Sequence, residues 1–169
     1  MDRTEAHAFL IVRMPLFAAT WAVSAVTWTI VLVAGGVAVA PLAIARVAEL
    51  AVLTAMWIGA NRTGTERAAV RVLAVACALL GWIELALFVG TTGAREVLGV
   101  MLLTLYTLPA FTFAWGWGAE ATLVVLTLLP TLAALPWLTP TSHPVELHTA
   151  VAFGTVVALG LADLTARNL

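Results

Sequence analysis

Arg46, Glu49 and Glu84 are the residues best placed to do chemistry, because each falls inside a long apolar run. Arg46 and Glu49 stand at i and i+3, which puts them on one helix face. A lone charge in hydrocarbon is costly. An opposite charge beside it offsets part of that cost and turns the pair toward protein rather than lipid. Such a pair can bind an anionic group through Arg46, or hold Glu49 ready for proton transfer. It can equally lock its helix to a neighbour. Glu84, in Gly81-Trp82-Ile83-Glu84, has no basic residue within one turn. Its countercharge must come from another helix, and Arg46 is the candidate. A carboxyl group in that place can act as a general acid or proton relay, or as an inert clamp between helices. Glu84 and Glu49 are therefore the candidate catalytic residues, and Arg46 a candidate ligand-binding residue.

The seven tryptophans raise a second possibility. Trp57 and Trp82 fall deeper in their runs than an interfacial belt requires, and aromatic faces stabilise cations. They are candidate substrate-binding residues, with ordinary packing or lipid contact as the alternative. Trp21 and Trp28, seven residues apart, share one face of the first helix. The Trp82-Ile83-Glu84 element resembles the small integral-membrane terpene cyclases over those few residues only. That resemblance implies acid-catalysed cyclisation or isomerisation of a lipophilic substrate, with acidic residues beside aromatic ones. The family is usually longer, with seven helices.

Other titratable residues carry weaker signals. His143, Glu146 and His148 do not have the His-Glu-x-x-His spacing that places two imidazoles on one helix face, and no third ligand is evident. No metal site is expected there. Only His148 lies near an apolar run, which argues against haem held by two histidines, and no cofactor is expected. His7 reads as a solvated or interfacial side chain. Cys77 is the only cysteine, so an internal disulfide and a thiolate cluster are both excluded; it reads as a small buried hydrophobe. Glu120 falls in the first turn of a helix, where the dipole favours a carboxylate. Asp163 and Arg167, at i and i+4, read as a terminal ion pair. No phosphate-binding glycine loop, nucleophile elbow or cysteine pair is present. ATP hydrolysis, serine-hydrolase chemistry and dithiol exchange are set aside.

The elements that must position these residues follow from composition. Hydrophobic residues make up 63% of the 169 residues and charged residues 10%, against about 45–50% and about 25% in soluble domains. Mean hydropathy is +1.07. A membrane span needs about 20 apolar residues, and the chain holds six such runs: 15–35, 39–60, 69–90, 95–115, 120–138 and 145–164. The expected fold is all-α, a polytopic bundle of six spans. Residues 1–14 form a short cytoplasmic or interfacial lead-in, 15–165 the bundle and 166–169 a cytoplasmic tail. The first run reads as a retained span rather than a signal peptide. Pro15 and Pro41 fall in first turns, where proline is tolerated, and Pro109 is expected to kink the fourth helix. Five spans are the alternative, because Gly35-Gly36 and Trp115-Gly116-Trp117-Gly118 separate their neighbours by little. Continuous apolar runs argue against a β-barrel.

Charge orients the bundle. All eight basic residues are arginine. With the N-terminus inside, Arg3, Arg13, Arg62, Arg67, Arg71 and Arg167 lie on the cytoplasmic side and Arg95 outside, as the positive-inside rule requires. Both termini are then cytoplasmic. Trp115, Trp117 and Trp137 suit the interfaces. The arginine-only usage and the excess of small apolar residues suggest a GC-rich genome, and hence a bacterial inner or plasma membrane. The charge positions of the two halves do not correspond, so an inverted repeat is not supported. Net charge is −1, which implies no nucleic-acid partner. The expected partners are membrane lipids, a second membrane or cytoplasmic polypeptide, and a small lipophilic or anionic ligand. Three functions fit: a carrier or membrane subunit with an Arg/Glu polar core; an intramembrane enzyme of the cyclase type; and a sensor or anchor for a separate signalling protein, docked through residues 61–71.

Overall fold

The computed structural model describes residues 3–91, 95–113, 115–134, 137, 154–160 and 163–164. They form an all-α bundle of six helices: α1 Arg3–Ala34, α2 Val39–Arg62, α3 Glu66–Thr91, α4 Arg95–Phe113, α5 Trp117–Ala134 and a described stretch of α6, 154–160. The first three are long and apolar enough to cross a membrane. The apolar stretches of α4 and α5, Leu102–Phe113 and Gly118–Ala134, are shorter. The chain is a multi-pass integral membrane protein.

α3 is the centre of the bundle. It packs most extensively on α2 and α5 and also touches α1 and α4. In its most apolar window 61% of residues are buried, against 22% in α1 and in α2, so the latter two present most of their surface to lipid. Ala74, Ala78 and Gly81 are what let the neighbours approach. A methyl group on Gly81 would collide with Leu105 of α4 and come within 3.2 Å of Thr127 of α5. Small residues serve this purpose in membrane bundles, where close backbone approach supplies the packing energy.

α1 starts earlier than the sequence suggests. Pro15 was expected in its first turn, yet the helix begins at Arg3 and runs through it, for 32 residues. At 1.5 Å per residue that is about 48 Å, well beyond the roughly 30 Å of a hydrocarbon core. Proline removes the hydrogen bond to the Ile11 carbonyl. The helix continues because its buried stripe does not stop there: Leu10, Met14, Phe17, Trp21, Ala25 and Leu32 form one face, while Pro15 itself is exposed. Phe17 stacks on Trp21 and meets Phe113 of α4 at 5.0 Å between ring centroids.

The ends are cut by local chemistry. Gly36, at φ +87°, follows α1, and the Gly36 and Val37 amides donate to the Val33 and Leu32 carbonyls at 3.0 and 2.9 Å. This is a Schellman cap, which needs a residue able to adopt the left-handed conformation. Thr65 caps α3, its Oγ1 accepting from the Ala68 amide at 3.3 Å, the N3 position. Gly116, at φ +80°, makes the short turn between α4 and α5. Pro41 lies in the first turn of α2 as expected, while Pro109 and Pro130 lie inside α4 and α5. Threonine hydroxyls in the spans donate to carbonyls one turn back, as at Thr27, Thr54 and Thr107, so they add no unsatisfied polar group to the lipid face.

Candidate functional site

Glu49 is the polar member of an otherwise apolar stripe on α2, where Leu42, Ala45, Met56 and Ala60 are buried on the same side. Glu84 occupies the matching place on α3, among Leu73, Cys77, Leu80 and Phe88. The two stripes face each other along the α2–α3 seam, so helix packing alone drives both carboxyl groups into the interior. Arg46, one turn before Glu49, reaches between them. Its Nη1 donates to Glu49 Oε2 at 2.6 Å and to Glu84 Oε1 at 2.5 Å. The side chains of both glutamates are 3% exposed and that of Arg46 20%. Arg46 is thus the interhelical countercharge that the position of Glu84 demands. The centre lies about 10 Å from the ends of α2 and α3 that meet α1's Schellman turn and Thr91.

The geometry is economical in one atom and wasteful in the others. A single guanidinium nitrogen serves both carboxylates, although arginine offers five N–H donors in a fork suited to bidentate pairing. Arg46 Nε and Nη2, Glu49 Oε1, Glu84 Oε2 and the indole Nε1 of Trp21 are buried and make no hydrogen bond among the described residues. The Trp21 indole and the Glu84 carboxyl nevertheless lie close enough to Glu49 to interact with it. Five of the six buried orphan atoms of the described bundle therefore gather at this one place. A cavity of about 10 Å³ opens beside it, lined by Trp21, Ser24, Ala25 and Trp28 of α1, Glu84 and Thr104. Its walls are mostly α1, and Trp28 is held by an edge-on contact with Phe88.

The two tryptophans singled out from the sequence do not join this centre. Trp57 and Trp82 are 44% and 42% exposed on the outside of the bundle. The Trp82 indole N–H donates to the Leu126 carbonyl at 2.8 Å, tying α3 to α5. The rings that do stand beside the carboxyl groups, Trp21 and Trp28, were visible in the sequence only as a shared helix face.

A second buried carboxyl group lies elsewhere. Glu120 is in the first turn of α5, as expected, but is 0% exposed. Its Oε2 accepts from the Trp115 indole at 2.9 Å, and Oε1 has no partner among the described residues. Buried Cys77, and Tyr106 hydrogen-bonded to Thr127 at 3.1 Å, are near neighbours. The sequence read Glu120 as a helix-end charge; the inward turn of its side chain depends on Trp115, five residues earlier. No group of three or more metal-ligating side chains occurs among the described residues. His143, Glu146, His148 and Arg167 lie outside them.

No protein-family model, curated protein or solved structure matches the chain. What fold and site define is a class: a multi-pass helical membrane protein with a buried arginine–carboxylate centre between its spans.

Proposed function

We propose that the protein is a membrane carrier, or the membrane subunit of one, whose Arg46–Glu49–Glu84 centre takes up and releases a proton as a small solute or ion passes. The observation that supports this reading is the charge count at Arg46 Nη1. Two carboxylates meet one guanidinium, so with both ionised the centre carries one uncompensated negative charge. Buried charge without a partner is strongly unfavourable. The second carboxyl group must hold a proton or a cation, and either can exchange. The orphan donors and acceptors around it fit a place where the polar partners change during a working cycle; a purely structural clamp is stable only when its hydrogen bonds are complete. With both termini cytoplasmic, the centre sits in the outer half of the membrane. The cyclase reading gains no support from the described residues, among which the cavity beside Glu84 is of the order of one water molecule.

The test is an infrared titration of the protein in lipid. A carboxylic-acid C=O band that exchanges in deuterated buffer is expected in the wild type. The component due to this centre should disappear in Glu84→Gln or in Glu49→Gln while any component from buried Glu120 stays, with proton uptake into proteoliposomes lost in the same variant. If neither variant loses a component of the band, the centre is a fixed ion-pair clamp and the reading is wrong.

A further inference from the structure

The α2–α3 seam carries two grooves on its outer surface, and they differ in one residue type. One, of about 310 Å³, runs between Pro41, Ile44 and Ala48 of α2 and Ile83, Ala86 and Gly90 of α3, and no charged side chain lines it. The other, of about 370 Å³, runs between Val52, Ala55 and Met56 of α2 and Val72, Val75 and Leu79 of α3, with Arg71 at its end. Small side chains, Ala55 and Ala76, form part of its wall.

Arg71 has no structural explanation in the bundle. It is exposed and forms no ion pair among the described residues. The only acid of α2, Glu49, is engaged with Arg46 toward the other end of the helix. Glu66, five residues before Arg71, is off its helix face. Arg71 stands about 7 Å from the start of α3, in its second turn. Arg67, one turn earlier on the same face, is exposed as well. Arg67, Arg71, Val75 and Leu79 thus make a single stripe, cationic at its start and apolar beyond. From Arg71 to Leu79 the stripe runs about 12 Å along the helix, close to the roughly 15 Å of one leaflet of hydrocarbon.

We propose that this groove binds one anionic phospholipid, with an acyl chain along Val75 and Leu79 and the phosphodiester on Arg71, supported by Arg67. The lipid supplies the negative charge that the arginines lack and covers the apolar wall. Basic pockets between spans on the cytoplasmic side are suited to anionic headgroups, and the arginine bias places this end there. The inference does not depend on the carrier reading.

The experiment is native mass spectrometry of the full chain in detergent with equal amounts of dioleoylphosphatidylglycerol and dioleoylphosphatidylcholine. One phosphatidylglycerol per chain is expected, retained at least about tenfold more than phosphatidylcholine. Arg71→Gln should abolish that preference, and Val75→Trp, which fills the groove and leaves Arg71 in place, should abolish retention. Arg62→Gln, a change at the same end outside the groove, should retain the wild-type preference. Thermal unfolding of each variant checks that it is folded. Equal retention of the two lipids by the wild type, or an Arg71→Gln chain that keeps its preference, would overturn the proposal. So would a Val75→Trp chain that binds normally, or an Arg62→Gln chain that loses as much as Arg71→Gln. A stoichiometric polypeptide seated on Arg71 in place of lipid would also sink it.

Discussion

Glu84 and Glu120 are equally hidden from solvent, at 2% and 0% exposed, but they are accommodated in opposite ways. Glu84 shares a cation with Glu49 across the α2–α3 seam. Glu120 has one neutral donor, the Trp115 indole, and no ion-pair partner among the described residues. The first arrangement keeps charge inside the membrane and makes the helix pair depend on it. The second suits an uncharged carboxyl group. The comparison teaches that burial of a glutamate says little by itself; what decides its chemistry is whether a cation can reach it, and that is set by which helix packs opposite.

The sharpest way to break the contrast is to remove the cation. Arg46→Gln leaves two buried carboxyl groups with no countercharge, and breaking a buried pair from one side costs about 3–5 kcal/mol. Thermal or denaturant unfolding in detergent should show a loss of that size. Adding Glu84→Gln should restore part of it, because the uncompensated charge then falls. A double variant no better than Arg46→Gln alone would mean that Arg46 acts through packing rather than charge.

The Glu120 site should respond less. Trp115→Phe keeps the aromatic contact with Phe113, at 5.4 Å between centroids, and removes the N–H that reaches Glu120. A buried acceptor left without its donor costs about 1–3 kcal/mol, measurable in the same unfolding experiment. A loss as large as that of Arg46→Gln would show that Glu120 is charged and that Trp115 is part of what holds it so.

The sequence disclosed the first of these sites and not the second, for a physical reason. Arg46 and Glu49 are local neighbours at helical spacing, and Glu84 in an apolar run can be satisfied only from outside its helix. With one arginine in mid-span, the partner follows by elimination. The bounds of α2 and α3 were legible to within about three residues, because Gly35-Gly36 and the polar segment 61–67 end the apolar runs. α1 was not, since Pro15 looks like a start signal; the stripe Leu10, Met14, Phe17, Trp21 crosses it and would have shown the continuation. Which way Trp21, Trp28, Trp57 and Trp82 face is a matter of rotation about each helix axis. In a bilayer both faces of a span are apolar, so the hydrophobic pattern that reveals the inward face of a soluble helix is weak. The burial of Glu120 was hidden similarly: a carboxylate in a first turn is ordinarily an end charge, and only the position of Trp115 across the Gly116 turn changes its meaning.

The smallest expected effect is the most discriminating. Glu120→Gln keeps the shape of the side chain and an oxygen able to accept from the Trp115 indole, and removes only the capacity to ionise. If Glu120 is uncharged in the folded bundle, the change should alter stability by less than about 1 kcal/mol, the net worth of an ordinary hydrogen bond. Glu84→Gln, made beside it, keeps an oxygen for Arg46 but turns an ion-paired hydrogen bond into one with a neutral acceptor, and should cost more, since hydrogen bonds between charged groups are worth about 1.5–3 kcal/mol. The order of the two unfolding midpoints is therefore the measurement. Should Glu120→Gln prove the more damaging, a cation must reach Glu120 as well, and the two carboxyl sites would be alike in kind rather than opposed.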